Sequence, residues 1–298
     1  MDQILKLNKV STGFWAVDKV VLAYFTFTTV LLLGWWRQIP DAWFYMAWHV
    51  VAIGLLIYQV KRPNRSTWIF RNWYMLFYVA SCYKEMAVYI PAVRHTRADR
   101  WLANLDYRIW GVHPTVWLER ISSRPLTELL QVCYTFFIPV VLLVAALLWR
   151  KGLYREFQYY AFLIALGFLV SYVGYFIVPA LGPRFLLKHL QHTMLQGMWF
   201  FHGMQVTLDR LESVNYDCFP SGHTELTILA WWGSRLVSNR LFKAYFAYTP
   251  VLIFATVYLR YHYTVDVLAG AVLAAGLILT APAIYRKLSK GGLAIGRC

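Results

Sequence analysis

Charged residues are scarce in this sequence, and acidic residues are the scarcest of them. Only 14% of the 298 residues are charged, with 14 Asp and Glu against 29 Lys and Arg. A typical soluble domain has about 25% charged and about 45–50% apolar residues, whereas 59% of this chain is hydrophobic. This composition argues against an ordinary cytosolic domain and against intrinsic disorder. It also makes a membrane protein a better explanation of the basic charge than nucleic-acid binding.

Cysteine is also rare, and its spacing carries no recognisable site. Cys82, Cys133, Cys218 and Cys298 lie far apart, and no Cys-x-x-Cys pair occurs. The spacing therefore predicts neither a disulfide framework nor a zinc site. The sequence also has no internal repeat and no low-complexity tract.

Long apolar segments dominate the remainder of the chain. A helix that spans a membrane needs about 20 mainly apolar residues. Segments of this kind predict an all-α fold, a polytopic membrane helix bundle with about eight transmembrane helices. They cover residues 17–36, 41–60, 72–90, 128–149, 157–178, 223–237, 243–259 and 265–285.

The basic residues between these spans predict the orientation of the chain. If the spans alternate in direction, most basic connections fall on the same side as the N-terminus, and the positive-inside rule makes that side cytoplasmic. Both termini are then cytoplasmic, and residues 91–127 and 179–220 lie on the extracytoplasmic or lumenal face. The basic residues assigned to the cytoplasmic side are Lys6, Lys9, Lys19, Lys61, Arg62, Arg65, Arg71, Arg150, Lys151, Arg155, Arg235, Arg240, Lys243, Arg286, Lys287, Lys290 and Arg297.

Residues 91–127 do not follow this charge pattern. Six arginines lie on the predicted outer side, and large apolar residues such as Trp101 and Trp110 alternate with them. This pattern is typical of an amphipathic helix that lies in the membrane interface, where its arginines contact lipid headgroups. Within the preceding span, Lys84 and Glu85 predict either a pair facing the bundle or a headgroup pocket, and the first alternative is favoured.

The first segment with candidate chemistry is residues 218–225. Pro220 suits the first turn of a helix, and the apolar run after Glu225 places a helix N-terminus at Ser221 and Gly222. The open N–H groups of such a terminus form a ready anion site. We therefore predict that Ser221 and Gly222 bind a phosphate and that His223 lies beside it.

The second segment is residues 260–266. His262 and Asp266 are four residues apart, which places them on one face of a helix. A carboxylate that accepts the proton of one imidazole nitrogen leaves the other nitrogen free as a nucleophile. Taken alone, this spacing is more typical of an ordinary hydrogen bond than of a catalytic pair.

Together the two segments predict one site, because both lie at the outer ends of predicted spans. Two imidazoles, a helix N-terminus and Arg260 fit phosphoryl transfer, in which His262 attacks phosphorus and His223 protonates the leaving oxygen. Arginine and backbone N–H groups stabilise the charge on the phosphate. No cluster of carboxylates accompanies them, so the sequence predicts no metal.

The same residues resemble the type 2 phosphatidic acid phosphatase superfamily. The resemblance rests on Pro-Ser-Gly-His at residues 220–223 and on His262-x-x-x-Asp266 followed by Val-Leu-Ala-Gly, and it covers about residues 127–285. It implies a six-helix phosphatase-like core and a phosphohistidine intermediate formed without metal or another cofactor. It also implies that His262 is the nucleophile, that Asp266 orients it, and that His223 acts first as acid and then as base.

Two departures from the phosphatase pattern point to one branch of that superfamily. Thr256 stands where the pattern has an arginine, while Arg260 lies two residues before His262, and the first phosphatase motif is absent. Arg184 stands in its place as a possible phosphate clamp. These features, with His-Tyr-x-x-Asp at residues 262–266, resemble the inositol phosphorylceramide synthase-like phosphotransferases, which also carry helices before the core.

The sequence therefore predicts an integral membrane lipid phosphatase or phosphotransferase with a lipid phosphate or phospholipid as its substrate. Its predicted parts are N-terminal helices over residues 1–71, a core over residues 72–285 that includes the interfacial segment 91–127, and a basic tail over residues 286–298. The acceptor is water or a lipid alcohol, and the sequence does not separate the two. The alternatives are a non-enzymatic transporter or lipid-binding protein with a buried polar pathway and, ranked last, a haloperoxidase-like site with bound vanadate.

Overall fold

The chain folds into helices. The computed structural model describes residues 13–62, 64–212 and 216–289, and no strand occurs among them. Lys6, Lys9 and residues 290–298 of the predicted basic tail lie outside the described residues. The helices are α1 Ala16–Gly34, α2 Ala42–Lys61, α3 Arg65–Val93, α4 Asp99–Trp110, α5 Arg124–Thr135, α6 Phe137–Arg150, α7 Tyr154–Ile177, α8 Phe201–Glu212, α9 Gly222–Ser234, α10 Asn239–Tyr258 and α11 Thr264–Leu288.

A helix lies at each of the eight predicted spans, which confirms the helical membrane bundle. Five of these helices are long and apolar enough to cross a membrane, namely α1, α2, α7, α10 and α11, and the pair α5 and α6 adds a sixth if it counts as one span. The other two fall short in different ways. Helix α3 has 29 residues but is not apolar enough, and α9 has only 13 residues.

Helix α7 lies at the centre of the bundle. Two thirds of its apolar stretch is buried, the largest share among the spanning helices, and it packs against α1, α3, α6, α9 and α11. Close packing on all sides explains why its sequence is apolar all round instead of amphipathic. This central helix supports α9 and α11, the two helices that carry the histidines of the predicted site.

A bend between α5 and α6 shapes the wall of the site. The two helices meet at Phe136 with an angle of 44°. Pro139 lies in the first turn of α6, where its ring and its missing N–H prevent a continuous helix. As a result Tyr134 and Phe137, on the two sides of the bend, both face into the bundle.

Buried polar contacts connect the first three helices. Arg71 of α3 donates to Asp18 of α1 at 2.5 Å, and both side chains are at most 4% exposed. Arg71 therefore lies inside a helix and not in a connection between helices, while the side of the membrane on which it lies stays a prediction. The Glu85 carboxylate of α3 lies 3.2 Å from Nε2 of His49 of α2. Buried polar contacts of this kind hold helices together where lipid offers no hydrogen-bonding partner.

Helix α4 lies at the same end of the bundle as the predicted site. It follows the end of α3, and its buried face contacts the start of α11. It lies within the segment 91–127 and is amphipathic, with Leu102 and Ala103 buried and Trp101 and Trp110 exposed. Its position relative to a membrane stays a prediction.

Candidate active site

Two helix N-termini bring the predicted histidines together. His223 lies in the first turn of α9, and His262 lies just before α11, with a distance of 5.7 Å between the ring centres. The backbone N–H of Ser221 donates to the carbonyl oxygen of Asp266 at 3.0 Å and joins the two segments. At Gly270 a Cβ atom would lie 2.4 Å from the carbonyl oxygen of Ser221. Only glycine permits this approach, so Gly270 fixes the spacing of the two histidines.

The hydrogen bonds of His262 fix its tautomer. Its Nδ1 lies 2.8 Å from the carbonyl oxygen of Cys218 and 3.5 Å from Oδ2 of Asp266. Because a carbonyl oxygen only accepts, Nδ1 carries the proton and Nε2 keeps its lone pair. The nearer acceptor is therefore a backbone carbonyl, and the Asp266 carboxylate lies behind it as a second, charged neighbour. Among the described residues, none forms a hydrogen bond with Nε2.

Asp266 is fully buried and is held by two donors besides His262. The Cys218 thiol donates to Oδ2 at 2.9 Å, and the Tyr263 N–H donates to the same oxygen at 2.8 Å. Burial raises the pKa of the Cys218 thiol well above its usual value, which keeps the thiol protonated as a donor. Oδ1 of Asp266 is buried and has no hydrogen-bond partner in the described part of the chain. No pattern in the sequence indicates this contact between Cys218 and Asp266.

Cys218, His262 and Asp266 also have donor atoms suited to a metal. One ligand atom from each lies within 4.8 Å of the others, and no other such group occurs in the described part of the chain. Zinc accepts all three ligand types, but a metal-bound thiol must lose its proton, and this thiol instead donates to Asp266. The absence of a metal from the reaction stays a prediction.

A stack of rings holds His223 in place. The ring of Tyr134 stacks on His223 with 4.4 Å between the ring centres, and Tyr261 stacks on the other face of Tyr134 at 4.3 Å. Phe137 contacts His223 at 4.5 Å. The Arg184 guanidinium lies 5.1 Å from the Tyr261 ring. Because these rings come from distant segments, sequence spacing gave no signal for them.

Ser221 and Gly222 form the start of α9. The Ser221 side chain is fully buried and accepts from the Thr224 N–H at 3.3 Å, as an N-cap residue does. Since the Ser221 N–H and hydroxyl are both engaged, the backbone N–H groups of Gly222 and His223 are the ones that the first turn leaves for an anion. A side chain at position 222 would collide with the Tyr175 hydroxyl, which lies 2.6 Å from the place of a Cβ atom.

The two predicted arginines lie at the edge of the site and pair with carboxylates. Arg260 donates to Glu119 at 2.9 Å, in a pair about 10% exposed, and also to the backbone oxygen of Thr193 at 2.7 Å. Arg184 donates to Asp209 at 2.7 Å in a much more exposed pair. The phosphate-binding role of both arginines stays a prediction, and the exposed pair of Arg184 separates more easily.

A largely apolar cavity of about 380 Å³ leads to His223. Side chains of α3, α6, α7 and α9 line it, and Asp217, Gly222 and His223 form its polar end. Asp217 accepts a hydrogen bond from the Tyr83 hydroxyl at 2.6 Å, and burial raises the pKa of its carboxyl group. Sequence reasoning missed Asp217, although an acidic residue six positions before His223 is conspicuous in a chain with few acids.

Comparison with known proteins agrees with this geometry. A family model described as the PAP2 superfamily matches residues 100–280, which is more than half of the chain. The chain belongs to the PAP2 superfamily. The matched residues include all seven predicted site residues, namely Arg184, Ser221, Gly222, His223, Arg260, His262 and Asp266.

The PAP2 superfamily protein also has a distant curated relative. A PA-phosphatase related-family protein of Dictyostelium discoideum is 31% identical over 170 residues, which cover 48% of this chain and 30% of the relative. The match therefore spans less than a third of the relative's length. No solved structure matches the chain. Family membership supports a membrane phosphatase, and hence an enzyme, while the branch within the superfamily stays a prediction.

Proposed function

We propose that this protein is an integral membrane enzyme that cleaves a lipid phosphoester through a covalent phosphohistidine at His262. The observation that carries the proposal is the pair of imidazoles 5.7 Å apart, with the His262 proton held on Nδ1 and with His223 at the polar end of an apolar cavity. The polar end fits a phosphate, and the apolar walls fit a lipid chain. No metal or cofactor takes part in the proposed reaction.

In the first half of the reaction, the Nε2 lone pair of His262 attacks phosphorus. The bond from phosphorus to the lipid oxygen breaks, and protonated His223 gives its proton to that oxygen, so the lipid leaves as a neutral alcohol. The attacking ring becomes positively charged, and the Asp266 carboxylate 3.5 Å from Nδ1 stabilises it. The N–H groups at the start of α9 stabilise the phosphate oxygens.

In the second half, an acceptor hydroxyl takes the place of the leaving alcohol. Its oxygen attacks phosphorus, its proton passes to His223, which is now neutral, and the electron pair of the N–P bond returns to Nε2. The donor decides what remains on phosphorus. A lipid phosphate leaves a bare phosphoryl group on His262, and water then gives free phosphate. A phospholipid leaves its headgroup on phosphorus, and a lipid alcohol then gives a new phosphodiester, whereas water gives the phosphorylated headgroup. We favour the lipid alcohol, as in inositol phosphorylceramide synthase-like enzymes, because the cavity that ends at His223 is mostly apolar.

The test incubates the purified protein with labelled phospholipids and polyprenyl phosphates, with and without inositol-phospholipid donors and alcohol acceptors. We expect a new phosphodiester lipid and an acid-labile phosphoprotein. His262→Ala abolishes both, and His223→Ala lowers turnover by about 10²–10⁴-fold, the usual contribution of a general acid. His202→Ala, an exposed histidine of α8, serves as the matched control and keeps full activity.

Two results would overturn the proposal. The first is full activity of a folded His262→Ala variant, and the second is lipid binding or flux by the wild-type protein with no cleavage of any phosphoester. The second result would favour the non-enzymatic transporter or lipid-binding alternative. Free phosphate in place of a phosphodiester would keep the phosphohistidine mechanism, with a lipid phosphate as donor and water as acceptor.

A further inference from the structure

Helix α4 forms hydrogen bonds with the start of the helix that follows His262. The Asp106 carboxylate accepts from the Thr264 N–H at 2.9 Å, the Thr264 hydroxyl at 2.7 Å and the Val265 N–H at 2.9 Å. Asp106 is only 1% exposed. It satisfies the open N–H groups at the start of α11, as a capping residue does, but from a different helix. The position of α4 therefore influences the position of His262.

The same helix also holds the loop that carries Arg184. The Asp99 carboxylate accepts from the Leu181 N–H at 3.0 Å and from the Gly182 N–H at 2.8 Å. Asp99 is 5% exposed and also accepts from the Tyr263 hydroxyl at 3.3 Å. Two carboxylates on one face of α4 thus connect it to two different segments of the site.

Two tryptophans of α4 add contacts from its outer side. The Trp110 indole N–H donates to the Thr264 hydroxyl at 2.7 Å, and the Trp101 ring lies 6.5 Å from the Phe219 ring, next to Pro220. Both tryptophans are 56% exposed. Each one therefore contacts a segment of the site while most of its ring remains open to the surroundings.

The open face of α4 and the segment that leads into it are basic and aromatic. Arg97, Arg100 and Arg108 are exposed there, and Tyr107 is 52% exposed beside them. The two acids of α4 point inward and are engaged, so no carboxylate of the helix offsets this charge. Arginine combined with tryptophan and tyrosine fits the headgroup region of a membrane, and the charge fits anionic headgroups.

We propose that α4 binds anionic lipid headgroups and that this binding positions the three site segments that α4 contacts. The surface comprises Arg97, Arg100, Arg108 and the aromatic residues around them. Because Asp99 and Asp106 lie on the opposite face of the same helix, a lipid that orders α4 also orders the Gly182 loop and the start of α11. The effect on turnover rests on the proposed function, but the binding and the ordering do not.

The test uses the full chain in uncharged detergent, with a fluorophore on Asn104→Cys, an exposed position of α4, and phosphatidylglycerol as titrant. Each arginine near an anionic surface contributes about fivefold in affinity. Arg97→Gln, Arg100→Gln and Arg108→Gln together are expected to raise the half-saturating phosphatidylglycerol concentration about a hundredfold. The matched control is Lys61→Gln, Arg62→Gln and Arg65→Gln, three exposed basic residues at the opposite end, and it leaves the titration unchanged.

Hydrogen exchange measures the coupling without turnover. Phosphatidylglycerol is expected to slow exchange of the Thr264 and Val265 amides in the wild-type protein severalfold. Phosphatidylcholine is expected to leave this exchange unchanged. In the α4 triple variant, phosphatidylglycerol is expected to leave it unchanged as well. Equal titrations for wild type and triple variant would overturn the headgroup site. Binding without protection at Thr264 and Val265 would overturn the coupling. If phosphatidylglycerol binds α4 and protects Thr264 and Val265 but no phosphoester is cleaved, the proposed function fails and this inference stands.

Discussion

At the level of single residues, Arg260 and Arg184 form different contacts near the site, and we expect them to have different roles. Arg260 pairs with Glu119 inside the protein and adopts a left-handed backbone conformation with φ of 67°. Arg184 pairs with Asp209 near the surface and lies over the Tyr261 ring that leads to His223. We infer that Arg260 mainly holds the outer loop, while Arg184 is the arginine available to a phosphate.

This difference gives a prediction about stability and activity. Arg260→Gln removes the charged partner of the largely buried Glu119 side chain, which then keeps, among the described residues, only the hydrogen bond from the His192 N–H, and is expected to lower the free energy of unfolding by about 3 kcal/mol. Arg184→Gln is expected to change stability by less than about 0.5 kcal/mol, as surface substitutions usually do, while raising KM for the lipid phosphate. Thermal unfolding and steady-state kinetics on both variants check the prediction.

The double variant Arg260→Gln with Glu119→Gln serves as the control. If the two residues act as a pair, the stability losses of Arg260→Gln and Glu119→Gln are not additive. The double variant then loses less stability than the two single variants lose together. Additive losses, or a raised KM in Arg260→Gln at unchanged stability, would assign Arg260 to the phosphate instead.

The residues of the site differ in how far the sequence could predict them. The spacing of His262 and Asp266 and the order of residues 220–223 predicted the place where the structure brings two imidazoles together. The Tyr134 ring and the hydrogen bond from His262 to the Cys218 carbonyl were not predictable, because both depend on the packing of segments that are distant in the sequence. Asp217 was missed although it lies only six positions before His223. Local patterns report on one helix, whereas these contacts depend on how several helices pack.

At the level of helices, the approach of α11 to the start of α9 depends on one glycine. Gly270→Ala places a methyl group 2.4 Å from the Ser221 carbonyl oxygen, so the two segments must move apart. We expect a loss of about 1–3 kcal/mol in stability, the usual cost of overpacking. We also expect a fall in kcat, because the distance between His223 and His262 grows. Thermal unfolding and turnover measure the two effects.

The matched control is Gly276→Ala on the same helix. A Cβ atom at position 276 meets no other atom within 4 Å, and alanine favours a helix over glycine by up to about 1 kcal/mol. This variant is expected to unfold at the same or a higher temperature and to keep full activity. Equal unfolding temperatures and equal turnover of the two variants would show that the close approach of Gly270 to Ser221 affects neither stability nor activity.

The helices also show where prediction from apolar length reaches its limit. The apolar segments of the sequence located a helix at each of the eight predicted spans, and the span over residues 223–237 already indicated that α9 is short. They did not indicate that α5 and α6 form a bent pair or that Arg71 lies inside α3. Hydropathy measures average solvent preference, whereas a helix packed inside a bundle tolerates a paired charge such as Arg71 with Asp18.

At the level of the whole molecule, the charge distribution predicts the orientation in the membrane. Met194, which is 82% exposed, lies in the loop on the side of the site, and Arg62 lies at the opposite end. We expect a cysteine at position 194 to react with a membrane-impermeant maleimide from the extracytoplasmic side. A cysteine at position 62 reacts only after the membrane is permeabilised.

Labelling of the unmodified chain measures the background reaction of its own cysteines, of which Cys82 and Cys218 are buried.

The reverse labelling pattern, with position 62 accessible from outside, would place the site on the cytoplasmic side. It would also make the arginines of α4 part of the inner, positively charged surface. The positive-inside rule would then hold for residues 91–127 as well.

The short length of α9 has a consequence for depth. A helix of 13 residues is about 20 Å long at about 1.5 Å per residue, while the hydrocarbon core of a bilayer is about 30 Å thick. If α9 ends at the inner boundary of that core, beside Arg235, its start and the two histidines lie about 10 Å inside the outer boundary. On this placement the phosphate of a substrate enters the hydrocarbon region by almost the length of two helical turns before its phosphorus meets His262. The groups around the two histidines must then replace the water that the phosphate leaves behind.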